Sequence, residues 1–77
     1  MLHFYQQLAA LLKQHPVVVA TVIRVTGSAP REVGASMVVC PNGQIVGTIG
    51  GGAGEAKVIQ QSLQVLETGV KQRVEID

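Results

Sequence analysis

The chain of 77 residues has few of the features that usually stabilise small domains. Its single cysteine, Cys40, cannot form a disulfide within the chain, and no cysteine–histidine cluster has the spacing of a zinc site. A domain this short buries only about 60% of the surface that its unfolded chain exposes. We therefore expect a partner subunit or a neighbouring domain to add stability, rather than a disulfide or a metal.

Charged and aromatic side chains are also scarce. Charged residues make up 14% of the chain, the net charge is +1, and the aromatic residues are Phe4 and Tyr5. No basic face with aromatic side chains for base stacking is evident, so no nucleic-acid partner is expected. No apolar run reaches the roughly 18 residues of a membrane span, and the N-terminus lacks the features of a signal peptide. We expect a cytoplasmic, reduced setting without a membrane.

Apolar residues, by contrast, are abundant. They make up 47% of the chain, and the mean hydropathy is +0.34. So much apolar surface on a small body predicts that another molecule covers part of it. We treat residues 1–77 as a single domain and expect a homo-oligomer.

Hydrophobic periodicity predicts a helix followed by a strand. Residues 2–14 have one apolar stripe with helical spacing, and Pro16 disfavours a helix beyond it. The stripe consists of Phe4, Leu8, Leu11 and Leu12. Residues 17–26 are rich in β-branched side chains, and their first half is apolar on both faces, which favours a central strand. Residues 27–34, GSAPREVG, are predicted to be a loop.

The rest of the chain predicts a hairpin, a helix and a last strand. Residues 36–40 and 44–49 flank Asn42-Gly43, a dipeptide that tolerates positive φ at both positions, and so form an antiparallel pair. A helix begins near residue 54 with a stripe of Ala56, Ile59, Leu63 and Leu66, and Gly69 caps it. Residues 71–77 alternate like an edge strand. The expected fold class is α/β (α+β), in the order α-β-β-β-α-β. It has a small mixed, mostly antiparallel sheet of about four strands, with two helices covering one face.

The segment GTIGGGAGE is the first candidate site. Glycine lets a ligand approach the backbone, and a helix start offers unpaired N–H groups and a positive dipole end. We therefore expect a phosphate at Gly50, Gly51, Gly52 and Gly54. The segment matches neither G-x-G-x-x-G nor a P-loop. The alternative is a tight turn where strand and helix pack closely.

The loop GSAPREVG is the second candidate. Ser28 offers a hydroxyl group and Arg31 a guanidinium suited to phosphate, and Gly27 and Gly34 are flexible corners. Both glycine-rich loops adjoin strand ends, so Arg31 could face the glycine turn. The alternative is a solvated loop in which Arg31 pairs with Glu32 or with nothing.

Other polar residues offer weaker candidates. Glu55 could be a general base or a metal ligand, or could simply cap the second helix. Cys40 suits inert packing, and His3 and His15 have no acidic or cysteine partner nearby in sequence. We expect no catalytic residues and no metal ligands.

Two motifs together resemble the N-terminal domain of the XdhC/CoxI family. They are VVATVIRVTGSAPREVGASMVV and GQIVGTIGGGAGEAKVI, in the order and spacing of that family. The resemblance implies an accessory protein that binds the molybdenum cofactor (molybdopterin) and delivers it to a molybdenum hydroxylase apoenzyme, with a cofactor sulfurase as a further partner. The matching positions are Gly27, Ser28, Pro30, Arg31, Gly34, Gly47, Gly51, Gly52 and Glu55.

The chain also departs from the family pattern. Ala53 stands where many members have Cys or His, so a thiolate or imidazole contact to molybdenum is not available there. The Rossmann-like C-terminal domain of the family does not follow within these 77 residues. Two alternatives stay open: a nucleotide- or phosphate-binding fragment of an oxidoreductase or transferase, and a structural dimerisation module without a ligand.

Overall fold

The computed structural model describes residues 2–25 and 31–76. They form α1 (Leu2–Leu12), β1 (Val18–Thr21), β2 (Ser36–Val39), β3 (Ile45–Gly47) and α2 (Gly52–Thr68). The three strands make one antiparallel sheet with β2 in the middle. The predicted small α+β domain is confirmed. Within the described ranges, no helix combines the length and the hydropathy needed to cross a membrane.

Helix α1 ends two residues earlier than predicted. The N–H groups of Gln14 and His15 both donate to the carbonyl of Leu11, at 2.9 and 3.1 Å, in a closing turn ahead of Pro16. Phe4, Leu8 and Leu11 are half-buried, as the stripe predicted, whereas Leu12 is 56% exposed. The helix contacts β3.

The central strand is β2, and not β1 as the apolar run predicted. Met37, Val38 and Val39 of β2 are completely buried, because β2 is paired on both edges and covered on both faces. β1 pairs only with β2 in the described sheet, and Val19 is 47% exposed. The valine run predicts a strand that other elements bury, but it does not predict which strand of the sheet is central.

The predicted hairpin is confirmed, with a different turn. Cys40 accepts a hydrogen bond from the Gly43 N–H at 2.9 Å and donates to the Gln44 carbonyl at 2.8 Å, which leaves a three-residue loop. Gly43 has φ +86°, but Asn42 does not have positive φ. Because Pro41 fixes φ near −65°, it suits the second position of a type I turn, and Gly43 follows in the left-handed region.

The main core lies between the sheet and α2. It consists of Met37, Val39, Ile49 and Val58, with further side chains of β1, α2 and the C-terminal segment packed around it. Ile59 and Leu63 pack there as predicted, whereas Ala56 is exposed. No α1 side chain belongs to this cluster in the part of the chain that is described, so the two helices do not share one core. The expectation that both helices cover one face is therefore wrong.

The C-terminal segment, residues 71–76, is not a strand in the structure. Gly69 caps α2 in the left-handed conformation, as predicted, and its N–H donates to Val65 at 2.8 Å. Beyond it, Val74 and Ile76 pack against the core, and the Lys57 ammonium group donates to the Glu75 carbonyl at 2.7 Å. The alternation predicted the buried side chains correctly, but no described strand pairs with this segment.

Candidate functional site

A glycine turn joins β3 to α2. The helix begins at Gly52, two residues before the predicted start, with Gly51 as its N-cap. Gly51 has φ +74° and ψ −170°, a region that essentially only glycine occupies. Gly51 has no side chain that could cap this helix end, and the N–H groups of Gly52, Ala53 and Gly54 have no acceptor among the described residues. The helix start therefore offers unpaired donors and the positive end of its dipole.

The carboxylate of Glu55 holds the turn in shape. Its Oε2 accepts hydrogen bonds from the Thr48 hydroxyl at 2.7 Å, the Gly51 N–H at 2.9 Å and the Ile49 N–H at 3.3 Å. The Thr48 hydroxyl also accepts a bond from the Gly50 N–H at 3.1 Å. The turn amides at positions 50 and 51 are thus already bonded within the protein.

These contacts change the acidity of Glu55. The Thr48 hydrogen bond lowers the pKa of Glu55 below its ordinary value of 4.5; burial opposes this, and the Gly51 and Ile49 amides and the Arg31 charge reinforce it. An ionised carboxylate whose Oε2 accepts the Gly51 N–H acts as a helix cap. The described residues contain no cluster of three or more acidic, histidine or cysteine side chains that could hold a metal with it.

Arg31 lies against the glycine turn. Its Nη2 donates to the Gly51 carbonyl at 3.4 Å, rather than to Glu32. A Cβ on Gly50 would lie 2.9 Å from Arg31 Cγ. A Cβ on Gly54 would clash with the guanidinium and would lie 2.6 Å from Ile76 Cγ2. Both glycines leave the space that the arginine side chain occupies.

The guanidinium is not fully hydrogen-bonded. Arg31 Nε is buried and has no partner among the described residues. A buried donor of a charged group without an acceptor carries a desolvation cost. An oxyanion next to this guanidinium could accept the bond that is missing.

The predicted site residues divide into three groups. Arg31, Gly50, Gly51, Gly54 and Glu55 lie together, with Gly52 in the first turn of α2. Gly34 has a separate contact, because its N–H donates to the Val22 carbonyl at 2.7 Å. Gly27 and Ser28, together with Pro30 of the same motif, lie outside the described residues.

The remaining candidates are the cysteine and the two histidines. Cys40 is buried at the end of β2, which agrees with inert packing. His15 Nδ1 lies 3.1 Å from the Pro16 carbonyl. His3 is exposed on α1.

The sequence did not predict Thr48 or the groove beside the site. Thr48 carries no motif of its own, and its role depends on where Glu55 folds back. The groove has a volume of about 1060 Å³ and runs between residues 18–25, α2 and residues 71–76. Four of the six Lys and Arg residues line it, namely Arg24, Arg31, Lys71 and Arg73, whereas Glu75 is the acidic residue among its lining. Scattered in the sequence, these cations gave no signal of a common surface.

Comparison with known proteins identifies relatives. Over 67 residues the chain is 43% identical to "Uncharacterized protein YqeB" of Escherichia coli (strain K12). The matched region is 86% of this chain and 12% of that protein. Over 60 residues it is 42% identical to a probable xanthine dehydrogenase subunit of Bacillus subtilis (strain 168). Here the matched region is 77% of this chain and 18% of that protein. The chain thus spans less than a fifth of the length of either relative. No solved structure matches the chain significantly.

The family assignment rests on most of the chain. The model of the XdhC and CoxI family matches residues 10–77, which include β1, the whole hairpin, the glycine turn and α2. The resemblance seen in the two motifs is therefore confirmed. The chain belongs to the XdhC and CoxI family.

Proposed function

We propose that this chain binds the phosphate of the molybdenum cofactor at the start of α2 and acts as an accessory protein for a molybdenum hydroxylase. The observation that carries the proposal is the Arg31 guanidinium, which lies against a helix start whose N–H groups are unpaired among the described residues. Helix N-termini and arginine guanidinium groups both recognise phosphate in proteins.

The chemistry of the residues fits such a ligand on one side of the turn. Glu55 occupies the Gly51 and Ile49 amides and carries a negative charge, so a phosphate would avoid that side. The Gly52, Ala53 and Gly54 amides and the Arg31 fork would hold the oxyanion, and its binding would supply the acceptor that Nε lacks. Gly27, Ser28 and Gly34 remain proposed members of the site.

The cofactor and the chain would have different roles. The bound cofactor supplies redox chemistry to the enzyme that receives it. This chain would bind and orient the cofactor, and would release it to a xanthine dehydrogenase-like apoenzyme after a cofactor sulfurase has acted. A relative whose name is that of a xanthine dehydrogenase subunit supports the choice of recipient.

The test is a binding titration of the 77-residue chain with molybdopterin, NAD and inorganic phosphate. We expect molybdopterin to bind, and Arg31→Ala to weaken it at least tenfold, since hydrogen bonds to charged groups contribute about 1.5–3 kcal/mol. Lys13→Ala removes one positive charge from the exposed turn after α1 and is the matched control. It should leave the affinity unchanged.

Two results would contradict the proposal. Equal losses in Arg31→Ala and Lys13→Ala would mean that net charge, and not this site, attracts the ligand. Tight binding of NAD without binding of molybdopterin would favour the fragment of a nucleotide-dependent oxidoreductase or transferase. Unfolding temperatures of each variant show whether a loss of binding reflects a loss of fold.

A further inference from the structure

The groove beside the glycine turn has two extended walls. One wall is β1 and its continuation, residues 18–25, and the other is the C-terminal segment, residues 71–76. Consecutive residues of each segment line the groove, so it runs along the edges of the two backbones. A groove of this form suits an extended chain better than a compact ligand.

Among the described residues, the wall formed by β1 is an unpaired sheet edge. The Val22 N–H donates to Ala35 at 2.9 Å, towards the β2 side of the sheet. Backbone groups alternate between the two sides of an antiparallel strand, so those of Val19, Thr21 and Ile23 face away from β2. These outward groups have no backbone partner among the described residues. Such an edge is a template for an additional strand.

The side chains around this edge define the chemistry of a partner. Val19 and Ile23 are 47% and 62% exposed and would contact apolar side chains. Arg24, Lys71 and Arg73 give the groove a positive charge that Glu75 offsets only in part. The groove therefore complements a chain in which apolar and acidic residues alternate.

We propose that an extended acidic segment of another protein binds in this groove as an additional strand on β1. Its backbone pairs with the outward groups of Val19 and Thr21, and its carboxylates face Lys71 and Arg73. Strand addition of this kind takes its affinity from main-chain hydrogen bonds and its specificity from alternate side chains. The proposal concerns a site for protein, separate in its test from the cofactor site at the start of α2.

The experiment titrates the chain with a fluorescent peptide of about seven residues, a usual strand length, that alternates glutamate and valine. A lysine–valine peptide of the same length is the charge control. We expect the acidic peptide to bind and the basic one not to. Val19→Pro removes an outward N–H without removing a ladder bond, and should weaken binding by about fivefold to tenfold, the contribution of one hydrogen bond. Val19→Ala retains the N–H and should cost less than about threefold, as most truncations at interfaces do.

A second pair of variants tests the charge. The double variant Lys71→Glu, Arg73→Glu should lose the acidic peptide and gain the basic one, and Lys13→Glu should do neither. Circular dichroism and thermal unfolding identify variants that no longer fold, and the charge variants keep the test decisive if Val19→Pro unfolds. Equal binding of both peptides to the folded chain would overturn the proposal.

Two other occupants of the groove would also overturn it. Self-association that Val19→Pro abolishes, without peptide binding, would assign the groove to a second copy of the chain. Molybdopterin binding that the Lys71→Glu, Arg73→Glu variant abolishes, without peptide binding, would assign it to a small anion.

Discussion

The carboxylate of Glu55 accepts hydrogen bonds from Thr48, Gly51 and Ile49. Because these bonds favour the ionised form, the pKa of Glu55 is lower in the folded chain than in the unfolded one. The unfolded chain therefore binds more protons as the pH falls, and the folded state loses stability.

We expect a pH-dependent effect of Glu55→Gln. At neutral pH the variant should be less stable by about 1 kcal/mol, the usual contribution of a helix cap. The difference should shrink as the pH falls below 4.5 and through the lowered pKa, because the wild-type carboxyl is then protonated too. Urea unfolding at a series of pH values measures it. A difference that stays constant down to pH values near 3 would show that the charge of Glu55 does not contribute.

Gly54 offers a second test at the residue scale. Replacement of glycine by alanine within a helix normally stabilises by roughly 0.5–1 kcal/mol. At Gly54 the new methyl group would meet the Arg31 guanidinium and Ile76. We therefore expect Gly54→Ala to destabilise the chain by about 1–3 kcal/mol, as overpacking does. Denaturant unfolding measures the change.

A double-variant cycle separates the two neighbours of Gly54. If the Arg31 contact causes the clash, Gly54→Ala should cost less in an Arg31→Ala background. Additive effects would instead place the strain at Ile76. A stabilised Gly54→Ala variant would contradict the close approach of Arg31 altogether.

At the scale of elements, the side chains of β2 and β1 differ in how much they contribute to the stability of the fold. Val38 and Val19 are partners in the register, yet Val38 is completely buried and Val19 is 47% exposed. We expect Val38→Ala to cost about 1.5–3 kcal/mol and Val19→Ala less than about 0.5 kcal/mol. Thermal unfolding of the two variants provides the comparison. Equal costs would mean that the outer edge of β1 is covered in solution.

The helices and strands could be predicted from the sequence more reliably than the pairing between strands. Helical and strand periods identified α1, the hairpin and α2, because these patterns arise from the local backbone. The pairing of β1 and of residues 71–76 depends on distant parts of the chain. The valine run and the alternation in residues 71–76 indicate which side chains prefer burial. They do not indicate which strand pairs with either segment.

The candidate site was predictable in part for the same reason. A strand that runs into glycines and then into a helix predicts a helix N-terminus near the turn, and the observed start lies two residues earlier than predicted. The approach of Arg31 to the turn was one of two alternatives that the sequence left open. Thr48 and the cations of the groove could not be recognised, because tertiary folding alone brings Lys71 and Arg73 opposite Arg24.

At the scale of the molecule, α1 has a second apolar stripe. Leu2, Tyr5 and Leu12 are exposed by 72%, 58% and 56%, and they recur at helical spacing beside the half-buried Phe4 and Leu8. We expect this stripe to mediate self-association of the chain. Sedimentation at micromolar concentrations should detect oligomers, and the double variant Tyr5→Lys, Leu12→Lys should sediment as a monomer. A well-folded wild-type monomer at those concentrations would contradict the expectation.

The packing of Arg31 has a consequence for how tightly a ligand could bind. Most surface arginines sample many rotamers and lose about 2 kcal/mol of conformational entropy when a ligand immobilises them. The stem of Arg31 already lies against Gly50 and its guanidinium against Gly54 before any anion arrives. Such preorganisation lowers the entropic cost of association, and it would be lost in Arg31→Lys, which retains the charge but has a flexible stem and no planar fork.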